Sequence, residues 1–314
     1  MRKLKVMFFG LGSIGSRHAR LMKENFNHEL YVYRHKKSPE KNSLGMKEIF
    51  SLRDIDKIKP DVAFITNPTY KHIEFAAFCA ERGINLFIEK PLSNSKKGIN
   101  HLLNIARKNN ISAYVAYCLR FHPAIIWLKK HLGKNKPLHL TVNVSSYLPN
   151  WRKNINHLKH YSAFKSKGGG VILELSHEID YMCYLLGSVK NFKVNAKKMG
   201  NVTVDSEDFA DILLEFKSGV YCNLHLNFFS NLQRREIVAD FKGHTVVGDL
   251  LANSITVIKD DKKKVIKFKS SRDDVLVSQM VYFFGNYGKG KMMNGLEEAA
   301  RIFDAIIGIR KAAK

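Results

Sequence analysis

Up to about residue 117 the chain alternates short apolar runs with segments of helical periodicity; beyond it, strand-like runs follow one another directly. Lys3–Phe9, Glu29–Tyr33, Asp61–Asn67, Asn85–Ile88 and Ile111–Tyr117 read as strands. Between them a helix runs through Ser16–Leu21. Tyr70–Arg82 is an amphipathic helix closed by Gly83, and Ser95–Lys108 is a helix with Ser93 as its N-cap. Strand–helix alternation predicts a parallel sheet with right-handed crossovers. In such a sheet a ligand sits beyond the carboxyl ends of the strands. Gly10–Gly15, Arg34, Thr66–Pro68, Glu89–Pro91 and Cys118–Arg120 all fall at those ends.

The second half reads as a helix over Pro123–His131, a strand over Leu138–Tyr147 and a polar, aromatic loop over Leu148–Lys167. Gly168-Gly169-Gly170 then precedes a helix over Val171–Leu186. Strands are expected at 189–198, 207–216, 219–228, 234–242, 244–250 and 253–258. Helices end the chain, with Asn294 capping Leu296–Lys311. One helix on meandering strands is an α+β pattern. The boundary falls near residue 120, with no repeat and no linker.

The most informative segment is Gly10-Leu11-Gly12-Ser13-Ile14-Gly15, between a strand and a helix N-terminus. In that context G-x-G-x-x-G binds a dinucleotide. Gly10 permits the turn, Gly12 lets a pyrophosphate approach, and Gly15 lets helix and strand pack closely. The helix N-terminus presents unpaired N–H groups to the phosphates. An NAD site usually places an acid about 20 residues further on, to hold the ribose 2′-hydroxyl. Here that position is Arg34, followed by His35-Lys36-Lys37, with no acid close in sequence. A guanidinium can grip a 2′-phosphate bidentately, so the expectation is NADP, with NAD as the alternative.

Of 314 residues, 45% are hydrophobic, enough for two cores, and Lys plus Arg exceed Asp plus Glu by 52 − 28 = 24. The positive charge is scattered, and no nucleic-acid-binding motif accompanies it. It suits a field that draws in anionic small molecules. The four cysteines form no CxxC pair and read as buried thiols of a reducing compartment, implying a cytoplasmic protein. No apolar stretch approaches the roughly 18 residues of a membrane span. Despite thirteen histidines, no metal-ligand spacing appears; His157 and His160 lie in a polar loop.

Two segments carry candidate chemistry. Glu89-Lys90-Pro91 follows a buried strand at the edge that bears the glycine turn. A lysine there can stabilise negative charge on a substrate oxygen. In the helix after Gly170, Glu174 and His177 are three apart, as are His177 and Asp180, so each pair is expected to share a face. A histidine flanked by carboxylates can serve as a base near neutral pH.

The ordered set Gly10-x-Gly12-x-x-Gly15-x-Arg17-His18, Thr66-Asn67-Pro68 with His72, Glu89-Lys90-Pro91 and the Gly-rich helix with His177-x-x-Asp180 resembles the Gfo/Idh/MocA oxidoreductases. The resemblance covers essentially the whole chain. It implies an α/β Rossmann dinucleotide-binding domain over residues 1–120. An α+β domain with a large, mostly antiparallel sheet would follow over 121–314, with the C-terminal helix packing back on the first. It implies hydride transfer between a nicotinamide and a hydroxyl or ketone of a sugar, cyclitol or nucleotide sugar. Lys90 would orient the substrate oxygen and His177 would move the proton. Gly10, Gly12, Ser13, Ile14, Gly15, Arg34, Thr66, Asn67, His72, Glu89 and Lys90 would surround the cofactor. Many members place Asp four residues before the histidine; here position 173 is leucine and the acid is Glu174. Arg120-Phe121-His122-Pro123, Tyr147-Leu148-Pro149 and Tyr161-Ser162-Ala163 resemble a subgroup met in surface-polysaccharide and nonulosonic-sugar gene clusters.

Arg120, Trp151, Arg152, Tyr161 and Asp180 are the candidate substrate contacts. Asp211–Phe216 and Val220–Phe228 carry apolar residues on both alternating sets, as in Tyr221, Leu224, Leu226 and Phe228, which predicts a homodimer or homotetramer. Two alternatives stand: a hydrolase or lyase that uses its cofactor transiently, and a non-enzymatic dinucleotide sensor that binds DNA.

Overall fold

The computed structural model describes residues 2–35, 42–151, 164–200, 202 and 204–313. The chain forms two compact units. The first is Met1–Ala116 with Leu276–Arg301; the second is Tyr117–Val275 with Ile302–Lys314.

The first unit runs β1 (Lys5–Phe9), α1 (Ser13–Asn25), β2 (Glu29–Tyr33), β3 (Lys47–Ile49), α2 (Asp54–Ile58), β4 (Val62–Ile65), α3 (His72–Ala80), β5 (Asn85–Ile88), α4 (Ile99–Lys108) and β6 (Ala113–Val115). Its strands are parallel in the order β3-β2-β1-β4-β5-β6. The chain therefore reverses its direction of winding between β1 and β4, where such sheets open a ligand crevice. Every residue of β4 is buried, and Phe64 stacks on Phe87 of β5 at 4.2 Å. Phe283, from the chain's return to this unit, meets the edge of Phe87 at 5.5 Å. Each such ring contributes about 1.5–3 kcal/mol by leaving water.

Three expectations for this unit need correction. β3 and α2 were not foreseen, because three and five residues are too short to show a period. Ser93 does not cap the fourth helix. That helix starts at Ile99 behind Gly98, whose φ of 80° and close approach to Ile73 suit only glycine. Asn294 does not cap the last helix through its side chain; its backbone N–H instead donates to Glu298 Oε2 at 2.8 Å.

The second unit continues with α5 (Pro123–Leu132), β7 (His139–Tyr147), α6 (Val171–Glu174), α7 (His177–Leu186), β8 (Val189–Lys197), β9 (Phe209–Phe216), β10 (Tyr221–Asn227), β11 (Phe229–Phe241), β12 (His244–Asp249), β13 (Ser254–Lys259) and β14 (Lys262–Lys267). α8 (Arg272–Asn286) and α9 (Leu296–Ala312) follow. Eight strands lie in the order β14-β13-β12-β11-β7-β10-β9-β8. β7 and β10 pair in parallel and the other neighbours are antiparallel. The lysine-rich β14 was not foreseen; it is the charged edge that sheets use against pairing with other chains.

The expectation of two apolar sheet faces is also corrected. Leu224, Leu226 and Phe228 are buried on one side with Ile212, Leu214, Leu140 and Val142. α6 packs against β9 and β10, and α5 against β12. The other set runs through Asp211, His225, Asn143 and Glu236 in one cross-strand row and Leu213, Asn223, Thr141 and Val238 in the next. Tyr221 belongs to this polar, half-exposed face.

Candidate active site

The first unit supplies a dinucleotide cradle. Gly10 ends β1 with φ at 110°, and a Cβ there would lie 2.8 Å from Asn67 N and Cα. A Cβ on Gly15 would lie 2.2 Å from Gly10 O. Both positions must be glycine because backbone passes backbone there. Gly12 is different: it is exposed, and nothing lies within 4 Å of where a Cβ would point. It precedes the first turn of α1, where Ser13, Ile14 and Gly15 follow with no side-chain cap. The first-turn N–H groups of a helix have no intrahelical partners, so the open space at Gly12 fits a phosphate. Thr66 Oγ1 donates to Gly10 O at 2.7 Å and ties the end of β4 to the turn. Both amide atoms of Asn67 are buried without a hydrogen-bond partner among the described residues. Such a group at a ligand crevice fits a polar ligand.

Sequence order misled at the ribose end. Arg34 Nη1 donates to Glu48 Oε1 at 2.8 Å, and Asn42 Nδ2 donates to the same oxygen at 2.8 Å. An acid does stand beside Arg34; β3 delivers it from fourteen residues away. Hydrogen bonds from Asn42 and Arg34 hold the Glu48 carboxyl below the usual range.

Glu89 and His72 are turned into the protein. His18 Nε2, fully buried, donates to Glu89 Oε1 at 2.6 Å. Glu89 Oε2 accepts from the backbone N–H of Lys90 at 3.1 Å. Burial pushes the Glu89 carboxyl up, but the His18 hydrogen bond and the nearby Lys90 charge help to outweigh it and keep it low. The His72 ring lies between two main-chain carbonyls, Pro91 O at 2.9 Å from Nδ1 and Asn67 O at 3.0 Å from Nε2. Burial lowers its pKa against those contacts. A neutral imidazole has one N–H, so it donates to one carbonyl and faces the other with a lone pair. Lys90 is thus flanked by two anchored residues, and its peptide to Pro91 is cis.

The second unit supplies the histidine. The expected helix over 171–186 is broken. Leu175 has φ −96° and ψ 28°, so α6 ends at Glu174 and α7 begins at His177. Glu174 and His177 therefore belong to different helices, and the shared-face argument fails for that pair. It holds for His177 and Asp180, both in the first turn of α7. Asp180 is occupied: Arg120 Nε donates to Oδ2 at 2.9 Å and Nη2 to Oδ1 at 2.7 Å. The two side chains are 0% and 1% exposed. The expected substrate contacts Arg120 and Asp180 grip each other inside the protein instead of lining a surface. Tyr117 stands edge-on to His177 at 5.5 Å, and its hydroxyl donates to Ser176 Oγ at 3.5 Å. Burial pushes the Tyr117 hydroxyl upward. His177 keeps 9% exposure among neighbours at or near zero.

Trp151 is half-exposed, with Nε1 donating to Ser146 Oγ at 3.0 Å. Arg152 and Tyr161 lie outside the described residues, as do His157 and His160. Sequence reasoning assigned no part to His18, Glu48, Tyr117 or the pair Glu207–Arg310. Of these only His18 had a local signal, its place in the motif after Gly15. Arg310 Nη2 donates to Gly169 O at 2.5 Å, and the guanidinium lies 3.5 Å from Glu207. This fixes the glycine turn that opens α6. All four cysteines are free thiols, with Cys79 and Cys222 buried. No cluster of three or more metal-ligating side chains occurs among the described residues. No helix there is long and apolar enough to cross a membrane.

A glycine-cradled parallel sheet that winds in both directions from β1 and β4 defines a dinucleotide-binding fold. Residues 4–117 match the model of the oxidoreductase family with an NAD-binding Rossmann fold, and residues 135–246 match the GFO/IDH/MocA C-terminal domain. The chain belongs to the Gfo/Idh/MocA family of NAD-binding oxidoreductases. Myo-inositol 2-dehydrogenase of Thermotoga maritima is 24% identical over 82% of this chain and 79% of its own length. The 2,7-anhydro-N-acetylneuraminate hydratase of Mediterraneibacter gnavus is 20% identical over 71% of this chain and 61% of its own. The chain spans 63% and 55% of the length of the curated relatives it matches first. The structure of UDP-N-acetylglucosamine 3-dehydrogenase GnnA from Acidithiobacillus ferrooxidans shares the fold, with a TM-score of 0.83, 18% identity and coverage of 99% and 98% of the two chains.

Proposed function

We propose that this protein transfers a hydride between a nicotinamide cofactor and a hydroxyl or ketone carbon of a sugar, cyclitol or nucleotide sugar. The observation that carries the reading is the open cradle at Gly12, between the crowded turn at Gly10 and Gly15 and the orphaned amide of Asn67. Residues 1–120 serve the cofactor and residues 121–314 serve the substrate and assembly. Relatives named for inositol, sialic-acid and UDP-sugar chemistry support a carbohydrate substrate. The net charge of +24 favours an anionic one, such as a nucleotide sugar. The link to surface-polysaccharide or nonulosonic-sugar synthesis belongs to the same proposal. The free thiols fit a cytoplasmic location.

The bound nicotinamide would accept or supply the hydride. In the oxidative direction His177 takes the proton as the substrate O–H breaks, and Lys90 hydrogen-bonds the oxygen on which negative charge develops. Glu174, at the end of α6, is the accompanying acid. We assign NADP as the preferred cofactor, with Arg34 contacting the 2′-phosphate through the N–H groups that Glu48 does not take. In the NAD case Glu48 would accept from the ribose hydroxyl.

The hydratase relative favours a second reading, in which the cofactor is oxidised and reduced again within one turnover. One experiment separates them: purified protein is incubated with each of NAD⁺, NADP⁺, NADH and NADPH and a panel of sugars, cyclitols and UDP-sugars. Stoichiometric absorbance change with product supports net oxidoreduction. Product without net change in cofactor supports the second reading. Neither product nor absorbance change across the panel overturns the carbohydrate assignment.

A further inference from the structure

We propose that Glu89 is a positioning residue for Lys90, locked in place by His18, and is not a ligand of the cofactor. The inference rests on reading Lys90 as the group that meets the reacting oxygen. The motif alone offers Glu89 as a polar residue at a strand end, facing the ligand crevice. The structure points both of its oxygens elsewhere: Oε1 takes the His18 Nε2–H at 2.6 Å, and Oε2 takes the backbone N–H of Lys90 at 3.1 Å.

The lock is internal to the first unit. His18 is 0% exposed and Glu89 7%. The His18 ring meets the edges of Phe87 at 5.3 Å and Phe64 at 5.9 Å, so β4 and β5 fix its plane. A carboxylate accepts only, so the proton between the two belongs to His18. Such charge-assisted bonds are the short, strong ones. On the far side of Lys90, Pro91 O lies 2.9 Å from Nδ1 of the buried His72 ring. The lysine backbone N–H is therefore fixed by a carboxylate that a buried histidine of α1 holds, and the buried His72 of α3 packs against the next peptide. A lysine side chain carries large rotamer entropy, and a fixed Cα narrows the positions its amine can reach.

The test uses Glu89→Gln, which keeps the size but leaves one acceptor oxygen for the two donors His18 and Lys90 N–H, and His18→Gln as a second route to the same loss, both checked for folding by circular dichroism. Trinitrobenzenesulfonate labels the intact protein, and mass spectrometry follows Lys90 beside the exposed Lys96 and Lys97 as internal references. NADH and NADPH affinities are titrated by fluorescence. Freeing a backbone fixed in one conformation should speed Lys90 labelling roughly fivefold or more, with the references unmoved. Cofactor affinities should change less than about threefold, below the loss of one ligand hydrogen bond. An unchanged Lys90 rate in the folded variants overturns the proposal, and a large loss of cofactor affinity beside it returns Glu89 to the cofactor site. Turnover of Lys90→Met is measured separately. If that variant works normally, the reading of Lys90 fails while the labelling result still decides what Glu89 does.

Discussion

Arg120 holds Asp180 through both carboxylate oxygens, at 2.9 and 2.7 Å, with neither side chain in contact with solvent. The pair joins the turn after β6 to the first turn of α7, the turn that carries His177. Removing one partner strands a buried charge, so Arg120→Met or Asp180→Leu alone should lower stability by about 3–5 kcal/mol. The double variant Arg120→Met/Asp180→Leu should recover much of that loss. Urea unfolding of all three gives the comparison. Additive losses in the double variant would mean that the two do not act as a unit.

Lys90→Met and His177→Asn should each lower turnover by roughly 10²–10⁴-fold if they act at the reacting hydroxyl. Single-turnover hydride transfer on folded variants reads this directly. His177→Asn should leave cofactor affinity unchanged. Near-normal transfer in that variant would remove His177 as the base and leave Glu174 or Tyr161 to be tested.

Arg34→Asp should weaken NADPH binding by about 1–3 kcal/mol more than NADH binding. Glu48→Gln should act the opposite way, strengthening NADPH binding by releasing the guanidinium it now shares. Fluorescence titration of both cofactors on wild type and both variants gives four ratios to wild type. A wild-type preference for NADH would overturn the NADP assignment and move the ribose contact to Glu48.

The buried histidines set an acid limit on stability. Burial lowers the pKa of His72, and of His28, His122 and His131 as well. The unfolded chain then binds protons near 6.5 that the folded chain refuses, so stability falls as pH drops below about 6.5. Glu89, held low in the fold, adds a further loss below about 4.5, where the unfolded carboxyl takes its proton. Calorimetry from pH 8 to pH 4 should show Tm declining in those two windows. His72→Gln should flatten part of the first one, and an identical slope in that variant would clear His72 of the effect.

The outer face of the eight-stranded sheet is half-exposed and mixes Leu213, Val238 and Tyr221 with charged residues. We expect it to meet a second copy of the chain, giving a homodimer or a homotetramer. Light scattering at micromolar concentration checks this, and Tyr221→Lys with Val238→Lys should shift the particle toward the monomer. A monomeric wild type at that concentration removes the prediction.

The sequence by itself determined the parallel sheet, the glycine turn and the place of Lys90 at the end of a strand, because each is written locally. Apolar runs at strand and helix periods name the elements, and glycines are required wherever one backbone crosses another, as Gly10 crosses Asn67. Only the tertiary structure decided which groups pair. Glu48 reaches Arg34 from fourteen residues away because β3 lies beside β2. Asp180 meets Arg120 across sixty residues, and Glu89 meets His18 across seventy-one. Buried charges must find partners in space, and the partner's position in the sequence carries no signal of its own. The break at Leu175 was hidden for a related reason. Val171–Leu186 contains no glycine or proline before Gly187, so no residue between Glu174 and His177 marked the turn that separates them.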